Sequence, residues 1–66
     1  MKIEQSKFEL ALAKARLTKA GLAGKAGISA ATITKLLAGN NSTPITVGKI
    51  AAALGVDVAE IVEMGE

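Results

Sequence analysis

Apolar residues recur at helical spacing along most of the chain, which predicts an all-α fold of five short helices. In the first helix, for example, Phe8, Leu12 and Ala15 share one face. β-Branched residues alternate over no long run, so strands are not expected. We expect a single domain, 1–66, whose helices cover residues 6–15, 19–26, 30–38, 47–54 and 58–62.

Polar residues and glycines at the segment ends indicate where these helices begin and end. Each helix begins at or directly after a residue whose side chain can cap it, in chain order Ser6, Thr18, Ser29, Thr46 and Asp57. Ser6 and Asp57 are each followed three residues later by Glu, which is the spacing of a capping box. Gly27 and Gly55 follow the second and fourth helices, where a positive φ is common. The clearest loop is 39–44, Gly-Asn-Asn-Ser-Thr-Pro.

Residues 19–38 combine two short helices about a turn at Gly27, which predicts a helix-turn-helix unit. Ala23 supplies the small residue that the first helix needs where the second helix crosses it. Ile28 follows the turn with an apolar side chain to bury. The facing apolar positions of the two helices are Leu22, Ala26, Ile33 and Leu36. Gly21 and Gly24 each cost about 1 kcal/mol relative to Ala, so the first of these helices should depend on packing.

These residues resemble the phage Cro and C1 repressor family, also called the lambda-repressor-like or Xre-type helix-turn-helix family. The resemblance covers residues 8–62 and rests on 17–23, 26–29, Ile33, Leu36 and Gly39, followed by Pro44, 50–56 and 57–61. It implies a compact five-helix lambda-repressor-like DNA-binding domain. It also implies a prokaryotic or phage transcriptional regulator, of the repressor kind, that binds double-stranded DNA as a homodimer without a cofactor.

By position, the resemblance makes helix 30–38 the recognition helix, which lies in the major groove of DNA. The residues expected to face bases are Ser29, Ala30, Ala31, Thr32 and Lys35. The residues expected to contact phosphate are Lys19, Asn40, Asn41, Ser42, Thr43 and Thr46. Lys35 can donate to guanine, and Ala30 and Ala31 can pack on thymine methyl groups. Asn40 and Asn41 can equally be turn formers.

The chain departs from the family pattern at three places. Many members have a long polar side chain where this chain has Ala30 and Ala31, so shape readout of DNA gains importance. Gly21 stands where many have Glu, which removes a capping box. Leu12 and Leu37 stand where many pair Arg with Glu, and because both are apolar, no buried charge is left without a partner.

The charges of the chain are segregated, which indicates a polyanionic partner. From Leu10 to Val56 there are six basic residues and no acidic one. Chance in a short chain is the alternative explanation. Outside the motif positions, Lys14, Arg16 and Lys25 are interpreted as ordinary surface charges.

The composition narrows the classes of function. The chain has no Cys and no His, and Phe8 is its only aromatic residue. A metal site, an enzyme and a base-stacking surface for single strands are therefore not expected. No apolar run approaches the roughly 20 residues of a membrane helix, and the first residues are too polar for a signal peptide. We therefore expect a cytoplasmic protein.

The last residues are more apolar than a short helix requires. We expect these apolar residues to lie partly in the core and partly in a dimer interface. They are Val56, Val58, Ile61, Val62 and Met64. An alternative function is a protein-interaction module, such as an antitoxin, that binds a partner through the acidic end 57–66. A membrane-active amphipathic peptide is a third alternative, and the well-placed caps and turns argue against it.

Overall fold

The computed structural model describes residues 1–63. Its elements are α1 (Gln5–Ala15), α2 (Lys19–Ala26), α3 (Ala30–Leu37), α4 (Pro44–Leu54) and a 3₁₀ helix, Val58–Glu60. The all-α class is confirmed, and α2, the turn at Gly27 and α3 form the predicted helix-turn-helix. The prediction of a fifth α-helix over 58–62 is wrong, because that segment makes only one 3₁₀ turn.

Apolar side chains from all four α-helices and from the C-terminal segment meet in one core. The largest fully buried side chains are Phe8, Leu22, Ile33, Ile50, Ile61 and Val47. Within the described residues, no polar or charged side chain is buried. Apolar burial therefore holds the fold together, and every charged group described is left at the surface.

The turn between α2 and α3 depends on a left-handed residue. Gly27 has φ 75°, a conformation that a side chain disfavours. The next amide, of Ile28, donates to the carbonyl of Ala23 at 3.0 Å and closes the end of α2. α1 ends in the left-handed conformation as well, but there the residue is Arg16, with φ 58°.

α1 begins one residue earlier than predicted. The carboxylate of Glu4 accepts a hydrogen bond from the backbone N–H of Lys7 at 2.9 Å, which makes Glu4 the N-cap. The predicted cap at Ser6 is therefore wrong, since Ser6 already lies inside the first turn.

α4 begins three residues earlier than predicted, at Pro44. The hydroxyl of Thr43 accepts from the backbone N–H of Thr46 at 3.3 Å, so Thr43 is the N-cap and the predicted cap at Thr46 is wrong. Proline suits the first helical position because its fixed φ fits a helix and no N–H is needed there.

Residues 1–4 form an extended segment that joins two distant parts of the chain. Ile3 makes an isolated antiparallel bridge with Val62, and the amide of Glu4 donates to the carbonyl of Ile61 at 2.8 Å. On the other side, the amide of Ser42 donates to the carbonyl of Met1 at 2.7 Å. The segment therefore ties the loop between α3 and α4 to the C-terminal segment.

Candidate nucleic-acid interface

α2 and α3 are held together through the faces that they turn to the core. Leu22 and Ala23 of α2 and Ile33 and Leu36 of α3 are buried. These are residues that the helix-turn-helix interpretation places at the packing positions. The opposite side of α3 is left exposed to solvent.

That exposed side consists of Ala30, Ala31, Thr34 and Lys35, together with Ala38, which is the C-cap residue because α3 ends at Leu37, one residue earlier than predicted. These five residues are here called the outer face of α3. Three of the five predicted base-facing residues lie on it. The other two, Ser29 and Thr32, lie at the start of the helix, where Ser29 is exposed and Thr32 is half-buried. Lys35 is the one charged residue of α3.

The hydroxyl groups of α3 are engaged within the helix. Ser29 Oγ accepts from the backbone N–H of Thr32 at 3.1 Å, and the two hydroxyls share a hydrogen bond of 2.9 Å. The hydroxyl of Thr34 donates to the carbonyl oxygen of Ala30 at 3.1 Å. Ser29 therefore caps the helix, and the side chains of Thr32 and Thr34 have less hydrogen-bonding capacity to offer a ligand.

An open groove of about 480 Å³ runs between α3 and the start of α4. It brings two of the predicted base-facing residues together with five of the six predicted phosphate-contacting residues. Its lining consists of Thr32, Lys35, Leu36, Asn40, Asn41, Ser42, Thr43 and Thr46. Apart from Leu36, every lining side chain can donate a hydrogen bond, and none carries a negative charge.

The loop between α3 and α4, which forms one side of the groove, is held in place by hydrogen bonds. The side-chain amide of Asn40 donates at 3.0 Å to the carbonyl oxygen of Lys35, which also accepts from the backbone N–H of Ala38 at 3.2 Å at the end of α3. Gly39, with φ 98°, makes the turn that allows this. The bond supports the turn-forming interpretation of Asn40, whereas Ser42 is held by its backbone bond to Met1.

Lys19 lies apart from the groove. It is the first residue of α2 and is exposed. Of the charges interpreted as ordinary surface groups, Lys14 pairs with Glu60 at 3.7 Å, and neither residue lines the groove. The charge of Lys14 is thus partly neutralised, whereas no described carboxylate pairs with Lys19 or Lys35.

The predicted dimer interface is only partly available. Ile61 and Val62 are 0% and 4% exposed within the monomer, where their side chains belong to the core and their backbone pairs with residues 1–4. Their assignment to a dimer interface is therefore corrected to the core. Val56 and Val58 are half-buried against the core, and Met64 lies outside the described residues.

Two residues that the sequence interpretation missed lie beside the predicted site. Thr34 lies on the outer face of α3, and its spacing of four residues from Ala30 could have revealed this. Ile45 is 74% exposed in the first turn of α4. Its position was hidden because that helix was expected to begin only at residue 47.

Residues 1–63 show neither a metal-ligand cluster nor a membrane-spanning helix. They contain no group of three or more potential metal-ligating residues among His, Cys, Asp and Glu. No helix in this part of the chain has the length and apolar character needed to cross a membrane.

Comparison with known proteins supports the geometry of α2 and α3. The sequence profile of the family described as helix-turn-helix matches residues 9–61. No curated protein and no solved structure matches the chain. The matched region begins in α1 and ends after the 3₁₀ helix, so it includes the turn at Gly27 and the whole groove. The chain therefore belongs to the Cro/C1-type helix-turn-helix family of DNA-binding regulators.

Proposed function

We propose that the chain binds double-stranded DNA sequence-specifically, with α3 in the major groove and residues 40–46 against the phosphate backbone. The observation that carries this proposal is the groove, which puts Thr32 and Lys35 of α3 beside a polar loop. The major groove of DNA is wide enough for an α-helix. Contacts from a loop and a helix start to phosphate then set the register of that helix on the bases.

The charge of this part of the chain favours the proposal. α2, α3, α4 and the loops between them contain no Asp or Glu. The described carboxylates lie in α1 and in its cap, and after α4. A polyanion that approaches the groove therefore meets cations and hydrogen-bond donors without repulsion from this stretch of chain.

We further propose a homodimeric repressor that acts in the cytoplasm. One copy of α3 reads only a few base pairs, and a two-fold dimer doubles the contacts on a palindromic site. Among the described residues of the predicted interface, Val56 and Val58 remain partly accessible in the monomer. A dimer seated on a promoter would repress transcription by excluding the polymerase.

Selection from a random pool of duplex DNA tests the proposal directly. The selected duplex should bind at least about 10³-fold more tightly than a scrambled duplex of equal length and composition. Fluorescence anisotropy at fixed salt measures both affinities, and sedimentation of the complex counts the chains on each duplex.

Three results would contradict parts of this proposal. Equal affinity for the selected and scrambled duplexes would make the protein a non-specific DNA binder. One chain per duplex would exclude the homodimer. Failure to bind any duplex, together with co-purification of a second protein, would favour the interaction module instead.

A further inference from the structure

The outer face of α3 presents methyl groups more than hydrogen-bonding groups. Ala30, Thr34 and Ala38 follow one another at intervals of four residues, so they form one row along the helix. Ala31 and Lys35 lie beside this row. The row is about 12 Å long at 1.5 Å per residue, which matches about three to four base-pair steps.

The structure shows why Thr34 offers a partner its methyl group and not its hydroxyl hydrogen. Its hydroxyl donates to the carbonyl oxygen of Ala30 at 3.1 Å, which leaves the methyl group as the part free to contact a partner. The hydroxyls of Ser29 and Thr32 share one hydrogen bond of 2.9 Å, which uses the hydrogen of one of them. Lys35 is thus the main free donor of the helix.

The residue types of α3 exclude most hydrogen-bonded readouts of bases. Arg reads guanine with two hydrogen bonds, Asn or Gln reads adenine, and Asp or Glu accepts from cytosine. None of these residues occurs from Ser29 to Ala38. Apart from the one hydroxyl hydrogen that Ser29 and Thr32 leave free, two specific contacts remain, a lysine with guanine and an apolar side chain with the 5-methyl group of thymine.

We propose that α3 selects DNA through apolar contacts of Ala30, Ala31 and Thr34 with the 5-methyl groups of thymines. This inference rests on the proposed function and specifies the ligand chemistry that the recognition helix reads. Short side chains let the helix backbone lie close to the base edges, where methyl groups can touch. The one side-chain polar group of the row, the Thr34 hydroxyl, keeps its hydrogen bond to Ala30 in the process, so burial of the methyl groups is favourable.

Replacement of thymine by deoxyuridine tests the inference. Deoxyuridine pairs with adenine as thymine does and lacks only the 5-methyl group. In the duplex selected by the full chain, each thymine is replaced singly. We expect binding to weaken about threefold to fourfold at each thymine that α3 contacts, the factor for the loss of one buried methyl group.

Two variants of one residue connect this effect to Thr34. Thr34→Ser keeps the hydroxyl and removes the methyl group, whereas Thr34→Val keeps a methyl group and removes the hydroxyl. On the thymine duplex, Thr34→Ser should bind about threefold more weakly and Thr34→Val as tightly as the parent. On the deoxyuridine duplex, Thr34→Ser should cause no further loss, and circular dichroism checks that both variants fold.

Each possible outcome bears on the inference. Loss at particular thymines, abolished in combination with Thr34→Ser, supports methyl readout. Specific binding that tolerates deoxyuridine at every position overturns it and favours readout of DNA shape, while the proposed function stands. If no duplex is selected at all, the proposed function fails and the inference fails with it.

Discussion

α2 and α3 are matched in length and in the way they begin, yet they differ in what stabilises them. Each has eight residues, and each follows a hydroxyl side chain that caps it, Thr18 for α2 and Ser29 for α3. α2 contains Gly21 and Gly24, whereas α3 contains no glycine. α3 also separates its apolar and polar sides more clearly, with Ile33 and Leu36 buried and Lys35 exposed.

This difference predicts which residues of the two helices matter for folding and which matter for binding. α2 has a low intrinsic preference for helix, so it must be stabilised by the core, into which Leu22 is completely buried. α3 presents short, exposed side chains along its outer face, which contribute little to the core. Changes at the buried positions of α2 should therefore alter folding, and changes on the outer face of α3 should alter binding alone.

The largest effect is expected at Leu22. Leu22→Ala removes a side chain that is 0% exposed, so the free energy of unfolding should fall by about 2–5 kcal/mol. Such a loss is a large part of the total stability of a small domain. Urea unfolding followed by circular dichroism measures it, with Leu10→Ala as the matched control because Leu10 is 67% exposed. Equal losses in both variants would contradict the dependence of α2 on the core.

Lys35 should show the opposite behaviour. Lys35→Ala is expected to leave stability nearly unchanged and to weaken specific binding by roughly 1–3 kcal/mol through a lost guanine contact. Anisotropy on a set of single-base variants of the selected duplex measures the change, which should be confined to one base pair. Lys25→Ala, an exposed lysine of α2 outside the groove, is the control. A uniform loss on every duplex would make Lys35 a phosphate contact.

Two glycines three residues apart, one inside α2 and one at its end, test the role of backbone conformation in this helix. Gly24 has open space where a Cβ would stand and lies inside the helix, so Gly24→Ala should stabilise the domain by about 1 kcal/mol. Gly27 has φ 75°, so Gly27→Ala should destabilise it by about 1–2 kcal/mol. Urea midpoints of the two variants should therefore move in opposite directions. A shift of both in the same direction would refute the distinction.

The smallest effect is expected at Lys19, the residue of α2 predicted to contact phosphate. Lys19→Ala should reduce the slope of log binding constant against log salt by about 0.9, the value for one phosphate contact. The order of preference among duplex sequences should not change. Titrations at four salt concentrations measure the slope, and a slope equal to that of the parent would remove Lys19 from the interface.

The parts of the fold that local rules decide were predicted correctly. Gly27 must adopt a positive φ at the turn, and Leu22, Ile33 and Leu36 must face the core, and the structure places them so. The start of α4 was not predicted, because Thr43 and Thr46 are equally suitable caps in the sequence. Pro44 decides between them, since its fixed φ and missing N–H suit the first position of a helix.

Features that depend on distant parts of the chain could not be read from the sequence. Ile61 and Val62 are buried in the common core, and their backbone pairs with residues 1–4, about sixty positions earlier. Asp57 and Glu60 have capping-box spacing, and the carboxylate of Glu60 does accept from the amide of Asp57 at 3.0 Å. That spacing fits a 3₁₀ turn as well as an α-helix. At the candidate site, spacing alone identified the exposed side of α3, but the internal bonds of its hydroxyls appear only in three dimensions.

The segment of residues 1–4 has a consequence for local opening of the domain. Loop amides ordinarily exchange their hydrogens with solvent quickly, but the amide of Ser42 is held by the carbonyl of Met1 at 2.7 Å. The amides of Glu4 and Glu63 are held by carbonyls of Ile61 and Lys2 on the other side of the same segment. All three amides are protected by hydrogen bonds to the same segment. Detachment of residues 1–4 would therefore expose them to hydrogen–deuterium exchange together, as a single cooperative unit of the native state.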